Sequence, residues 1–247
     1  MKSPLYHVQD LVLNTLNKIK KFPFVLSGGT ALSRFYFHHR FSEDLDFFFE
    51  GYDYSFSKVS QVISFLRKSG FVCEVIGRSD QAGQMKVDSY AITSSQSKTC
   101  RSETCRLETP LKIDFLEDPF SGMWPVQKKK TESGVSFKVD HLDQIYYRKI
   151  YSILVQWYSE KKIQRVKDLV DLYELHTRHR PMDEMIEMLI KEHVPIHEEK
   201  LILALTDLKK EDIKTDLRLL HSSVGAADLC RVFKQSMEKL IKKGLAV

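Results

Sequence analysis

Hydrophobic periodicity changes character once along this chain, near Asp140, and that change limits the folds open to it. Before Asp140, short apolar runs alternate with helical patterns; after it, only the helical period remains. A mixed sheet with helices, followed by a helical bundle, is the arrangement such a pattern specifies. The expectation is therefore an α+β chain in two parts, 1–140 and 141–247, and 247 residues are enough to bury a core in each.

In the first part, Leu5, Val8, Val12, Leu16 and Ile19 recur at spacings of three and four, which predicts a helix over 5–20. Phe24-Val25-Leu26 reads as a strand running into Ser27-Gly28-Gly29, with Thr30 placed to cap a following helix. Asp44-Leu45-Asp46-Phe47-Phe48-Phe49 follows, a nearly continuous apolar run expected to be a strand covered on both faces. A helix at 59–66, strands at 71–76, 85–88 and 110–115, and a polar hairpin tip at 93–109 complete this part. Helices are expected at 143–157, 164–175, 182–191, 197–205, 212–219 and 226–242, with Pro181 and Pro195 between them.

Composition excludes several classes. Thirty-eight Lys and Arg against 33 Asp and Glu leave a net charge of +5, too mild to demand a nucleic-acid partner. Four Cys are too scattered for a disulfide framework. No stretch approaches the ~20 apolar residues that span a bilayer. The opening MKSPLYHVQD lacks the apolar core of a signal peptide. The expectation is a cytoplasmic protein with no membrane association.

Chemistry concentrates in the acids. Asp44 and Asp46 are two apart on a strand and so share a face, where two carboxylates repel each other unless something compensates. A divalent cation does so directly. Asp114, in Leu111-Lys112-Ile113-Asp114-Phe115, alternates in the same way; Asp88 is its competitor for the place of third carboxylate. Three carboxylates on neighbouring strands suit two Mg²⁺ ions, with Mn²⁺ as a substitute, for in-line displacement at phosphorus. Ser27, Gly28, Gly29 and Thr30, at a strand-to-helix turn, suit a cradle for phosphate oxygens. Downstream, Arg165, Asp168 and Asp171 share one helix face, with Lys149 on the helix before. Taken alone, that second cluster reads as an interhelical salt bridge.

The run GGTALSRFYFHHRFSEDLDF, 28–47, resembles the signature of the nucleotidyltransferase superfamily, and in detail the AbiEii/AbiGii toxin family. Arg40, Ser42 and Asp44-Leu45-Asp46 match its pattern, and Lys149 with Arg165-Val166-Lys167-Asp168-Leu169-Val170-Asp171 is similar to its later motif. The resemblance implies a nucleotidyltransferase core that moves a nucleoside monophosphate from an NTP to an acceptor, with Asp44, Asp46 and Asp114 holding metal. It implies Lys149 as a ligand of the triphosphate, oriented by Asp168 or Asp171, with Arg165 beside it. It also implies a toxin restrained by a cognate antitoxin, with the 3′ end of tRNA, or other RNA, as acceptor. A protein side chain as acceptor, or nucleotide binding without chemistry, are the alternatives.

Other features are expected to be less eventful. Arg148, Lys149, Lys161, Lys162, Arg165 and Lys167, interleaved with Tyr146, Tyr147, Trp157 and Tyr158, suit an RNA backbone and its terminal bases, although helical cores use the same aromatics. Cys100 and Cys105 read as free thiols, His38, His39, His176 and His179 as surface residues, and Lys128-Lys129-Lys130 as a solvated turn.

Overall fold

The computed structural model describes residues 4–51, 53–80, 85–94, 110–117, 120, 122–160, 163–220 and 224–244. Its contacts divide the chain into a sheet unit, residues 1–36 and 42–141, and a helical unit, residues 37–41 and 142–247. The predicted hairpin tip, with Cys100 and Cys105, lies outside the described residues save its first two positions.

The sheet unit holds strands β1 (Phe24–Ser27), β2 (Leu45–Phe49), β3 (Phe71–Ser79), β4 (Val87–Ser94), β5 (Leu111–Leu116), β6 (Gln127–Lys130) and β7 (Ser136–Val139). They form one sheet in the order β3-β4-β5-β2-β1-β7-β6. The β2–β5 and β1–β7 pairs are parallel and the others antiparallel, so the sheet is mixed, as the α+β pattern requires. Helices α1 (Pro4–Leu16) and α3 (Phe56–Lys68) belong to the same unit.

Period-two alternation gives the sheet two unlike faces. One carries Phe24, Phe47, Phe49, Phe115 and Phe137, all buried. Their rings meet edge-on or offset, with Phe24 and Phe115 centroids 4.9 Å apart and Phe47 and Phe137 5.9 Å apart. The other face carries Ser27, Asp46 and Asp114. The run after Asp44 is thus not covered on both faces: Leu45, Phe47 and Phe49 are buried, whereas Asp46 and Phe48 are half-buried. Continuous apolarity here reflects Phe48 alone.

The lysine run at 128–130 is strand β6 at the sheet edge, not a turn. Lysines discourage pairing of an edge with another chain, and the charge that suggested a turn suits this position. Lys129 also lies over the Tyr36 ring, 4.4 Å from its centroid.

The helical unit contains α4 (Leu142–Glu160), α5 (Val166–Arg178), α6 (Met182–Lys191), α7 (Glu198–Thr206), α8 (Lys210–Leu219) and α9 (Ala226–Lys242). Each sits within a few residues of its predicted span. Tyr146 and Tyr147 are fully buried in the bundle, so this part of the basic and aromatic strip is core. Among the described residues, no helix is long and apolar enough to cross a membrane.

Candidate active site

Strand register assembles the first constellation. Asp46 stands opposite Asp114 across the parallel β2–β5 pair and opposite Ser27 across β1–β2. Register partners point to one face, so Ser27, Asp46 and Asp114 form a row across three adjacent strands. Ser89 continues it on β4 opposite Asp114. Asp88 stands opposite Phe115 instead, which puts it on the aromatic face, away from the row. There it accepts a hydrogen bond from Arg78 Nε at 2.6 Å. The register therefore separates the two competitors for third carboxylate, and Asp114 shares the face of Asp46.

The turn before the row explains its glycine. Gly28 has φ +67°, in the left-handed region, and an added Cβ would fall 2.2 Å from Asp46 Oδ2. Conformation and space both demand a residue without a side chain. Helix α2 (Gly28–Ala31) starts at that glycine and runs directly into π-helix over Leu32–Phe37. Thr30 lies inside α2 and does not cap it. Its hydroxyl instead faces Ser42 Oγ at 2.8 Å and the carbonyl of Asp44, bracing the segment that enters β2.

Lys112 Nζ donates to Asp114 Oδ2 at 2.5 Å. Burial disfavours the Lys112 ammonium, but Asp114, Asp44 and Asp46 outweigh it and hold its pKa above the ordinary lysine value. Asp114 Oδ1 is buried without a hydrogen-bond partner, as is Ser27 Oγ. Orphaned buried oxygens of this kind cost free energy unless something satisfies them. The donors are all hard oxygens, the set that Mg²⁺ or Mn²⁺ prefers, and two carboxylates are a usual protein contribution when substrate phosphates supply the rest. Among the described residues, no three His, Cys, Asp or Glu side chains converge as a preformed metal cage. The row fits a metal shared with a substrate.

The second constellation lies wholly in the helical unit. Lys149 Nζ, on α4, is 2.6 Å from Asp168 Oδ1 and 2.7 Å from Asp171 Oδ2, both on α5. The face predicted for Asp168 and Asp171 is thus the face that meets Lys149. Arg40 grips Asp171 with two hydrogen bonds, Nε to Oδ1 at 2.7 Å and Nη2 to Oδ2 at 2.8 Å. His39 Nε2 lies 2.8 Å from the same Oδ1, with its side chain 1% exposed. Ser152 Oγ donates to Asp168 Oδ2 at 2.9 Å, and Arg165 Nε approaches that oxygen at 3.2 Å from a half-exposed position.

Burial alone would raise both carboxylates. Lys149 and Arg40 nevertheless hold Asp171 well below the usual carboxylate range, and Lys149 with Arg165 hold Asp168 below it. Burial would lower Lys149, but Asp168 and Asp171 keep its pKa raised. Lys149, Asp168 and Asp171 are therefore all charged at neutral pH.

Three of the four histidines expected at the surface make hydrogen bonds or ion pairs. His39 lies against Asp171. His176 Nδ1 accepts the Met182 N–H at 3.0 Å, and His179 Nε2 sits 2.8 Å from Asp143. His38 has φ +54°, in the left-handed region, just before His39. Lys112 and His39 are the site neighbours that spacing missed. The Lys112-x-Asp114 alternation was a usable signal for the first; nothing local signals the second.

A family model described as nucleotidyl transferase AbiEii toxin, type IV TA system, matches residues 14–238. No curated protein matches this sequence. Among solved structures, JHP933 from Helicobacter pylori aligns over 98% of this chain and 94% of its own, with TM-score 0.57 and 18% identity. A second solved structure from H. pylori, described as that of a candidate nucleotidyltransferase, aligns over 98% of this chain and 96% of its own, with TM-score 0.60 and 17% identity. At such identities the likeness concerns the fold.

Proposed function

Because the chain belongs to the AbiEii family of nucleotidyltransferase toxins of type IV toxin–antitoxin systems, we propose that its carboxylate row transfers a nucleoside monophosphate from an NTP to the 3′ end of tRNA. Family membership also implies an antitoxin partner. One observation carries the reading at the level of chemistry: Asp46 and Asp114 stand in register beside a glycine turn, with Asp114 Oδ1 buried and unpartnered.

Nucleotidyltransferases generally use divalent ions. Asp44, Asp46 and Asp114 would hold Mg²⁺, which when bound neutralises charge developing on the transferring phosphoryl group. The chain's own residues do the rest. Gly28 and Gly29 leave the backbone open to the β- and γ-phosphates, and Ser27 Oγ gains a partner there. The acceptor hydroxyl oxygen attacks the α-phosphorus, forming the new P–O bond. The bond from that phosphorus to the bridging oxygen breaks, and pyrophosphate departs with the electron pair. Asp114 Oδ1 receives the hydroxyl proton.

Lys149 is proposed as a triphosphate ligand, with Asp168 and Asp171 keeping it charged and oriented and Arg165 adding a second cation. The cluster supports this by its charge. Lys149, Arg40 and Arg165 all lie against the two carboxylates, so the cluster presents three cations where two aspartates meet.

The test is a transfer assay with Mg²⁺, each α-³²P-labelled NTP and total tRNA, beside Asp46→Asn. Label on tRNA with the wild type alone is the expected result, with a loss of at least about 1,000-fold in the variant. Equal labelling by both proteins overturns the assignment of Asp46, and label on polypeptide overturns the tRNA acceptor.

A further inference from the structure

Three aspartates around one strand pair set an electrostatic problem for the protein before substrate arrives, and the sheet supplies one visible answer. Lys112 and Asp114 are two apart on β5 and so share a face, and Nζ reaches Asp114 Oδ2 at 2.5 Å. The lysine also feels Asp44 and Asp46. Its side chain is 42% exposed, whereas that of Asp114 is 12% exposed. On β4, the residues facing Lys112 and Asp114 are Ala91 and Ser89, both small, so the neighbouring strand adds little bulk beside them. Asp114 is thus held by a cation that has somewhere to go.

We propose that Lys112 is a built-in counter-ion: it occupies the Asp114 carboxylate while the site lacks a divalent ion, and it is displaced when the metal binds. The inference rests on the carboxylate row being the metal site and extends it to the lysine that pairs with Asp114. Lys112 is a positioning residue in this role, since it acts through Asp114. Like charge beside an incoming cation weakens binding, and breaking the Lys112–Asp114 bond adds to that cost. The arrangement raises the concentration of metal, or of metal–nucleotide, needed to fill the site. In exchange it stabilises the unfilled row against its own repulsion.

The experiment titrates Mn²⁺, without nucleotide, into wild type, Lys112→Met, Lys112→Arg and Asp46→Asn, following free Mn²⁺ by electron paramagnetic resonance. Thermal melting of each is recorded in chelator and in Mn²⁺. Lys112→Met should bind Mn²⁺ about tenfold tighter than wild type and melt lower in chelator, with Mn²⁺ restoring most of the loss. Lys112→Arg, which keeps the charge, should bind like wild type. Should Lys112→Met fail to fold, Lys112→Gln carries the same expectation with a hydrogen-bonding side chain. Unchanged or weakened Mn²⁺ affinity in the neutral variants overturns the counter-ion role, provided wild type binds the ion and Asp46→Asn binds it less. If wild type and Asp46→Asn bind Mn²⁺ equally, the metal site itself is misassigned and the inference falls with it.

Discussion

The two aspartate clusters of this chain use the same residue to opposite ends. In the sheet unit, Asp44, Asp46 and Asp114 have Lys112 beside them, and a buried oxygen of Asp114 goes without a partner. In the helical unit, Asp168 and Asp171 are enclosed by Lys149, Arg40, Ser152 and His39, with Arg165 at the margin. In the first cluster a buried carboxylate oxygen is left without a donor, and in the second the buried carboxylates meet a lysine and an arginine. A buried carboxylate oxygen without a partner favours a cation from solution; buried carboxylates already paired with cations tie together the helices that carry them. On the proposed reading, the first cluster is completed by a metal and the second holds Lys149 charged and in place for the triphosphate.

The largest effect should come from unbalancing the second cluster. Lys149→Met leaves Asp168 and Asp171 facing each other in a buried setting, and removing one partner of such a pair costs about 3–5 kcal/mol. Urea unfolding should report that loss even without nucleotide. If Lys149 served only as a substrate ligand, stability would stay put and only transfer would fall. Acid sharpens the distinction. Asp168 and Asp171 titrate below the ordinary carboxylate value, so the stability they contribute is complete above about pH 4 and disappears as pH falls through their folded values. Without Lys149 those values climb, and the acid unfolding midpoint should move to higher pH. Lys149 itself is raised, so its contribution holds below its ordinary value of about 10.4 and fades above it as pH rises through the folded value.

Next in size is Gly28→Ala in the first cluster. The residue sits at φ +67°, and its new methyl would overlap Asp46 Oδ2. Strain and displacement together should cost about 1–3 kcal/mol of stability. Moving Asp46 should cost more than about tenfold in transfer rate, because phosphoryl chemistry depends on position. Asp46→Asn gives the informative contrast: it should abolish transfer while leaving stability unchanged or higher, since it relieves like-charge repulsion. Equal destabilisation by the two variants would argue that the row is structural, and the contrast between clusters would collapse.

How much of this was legible in the sequence follows from the range of the interactions. Asp46 and Asp114 sharing a face needed only alternation, which adjacent residues carry. Choosing Asp114 over Asp88 needed register, because Asp88 is also an acid on a strand and only pairing with Phe115 reveals its face. β6 and β7 were not among the strands expected: β6 is a lysine run at an edge, and β7 is four residues long. The Lys149–Asp168–Asp171 contact followed from helical spacing plus a short connection. Arg40 was marked by its motif, but its grip on Asp171 spans 131 positions and nothing local foretells it. Tyr146 and Tyr147 stand among basic neighbours but are more often packing in such helices, and the helix turns them into the core.

The smallest effect is expected at Arg165, where the two clusters' logics can be told apart within one residue. Its guanidinium is 51% exposed and lies 3.2 Å from Asp168, a carboxylate that Lys149 and Ser152 already satisfy. Removing a half-solvated partner from a carboxylate with other donors should cost about 0–1 kcal/mol. Arg165→Ala should therefore unfold nearly like wild type in urea. If its charge serves the nucleotide, the same variant should raise the KM for NTP several-fold with little change in kcat, the mark of lost ground-state binding. A KM that does not move, with stability also unmoved, would leave Arg165 as a solvated residue on the rim. Lys149 and Arg40 would then balance the two aspartates, and the proposed nucleotide contact would rest on Lys149 alone.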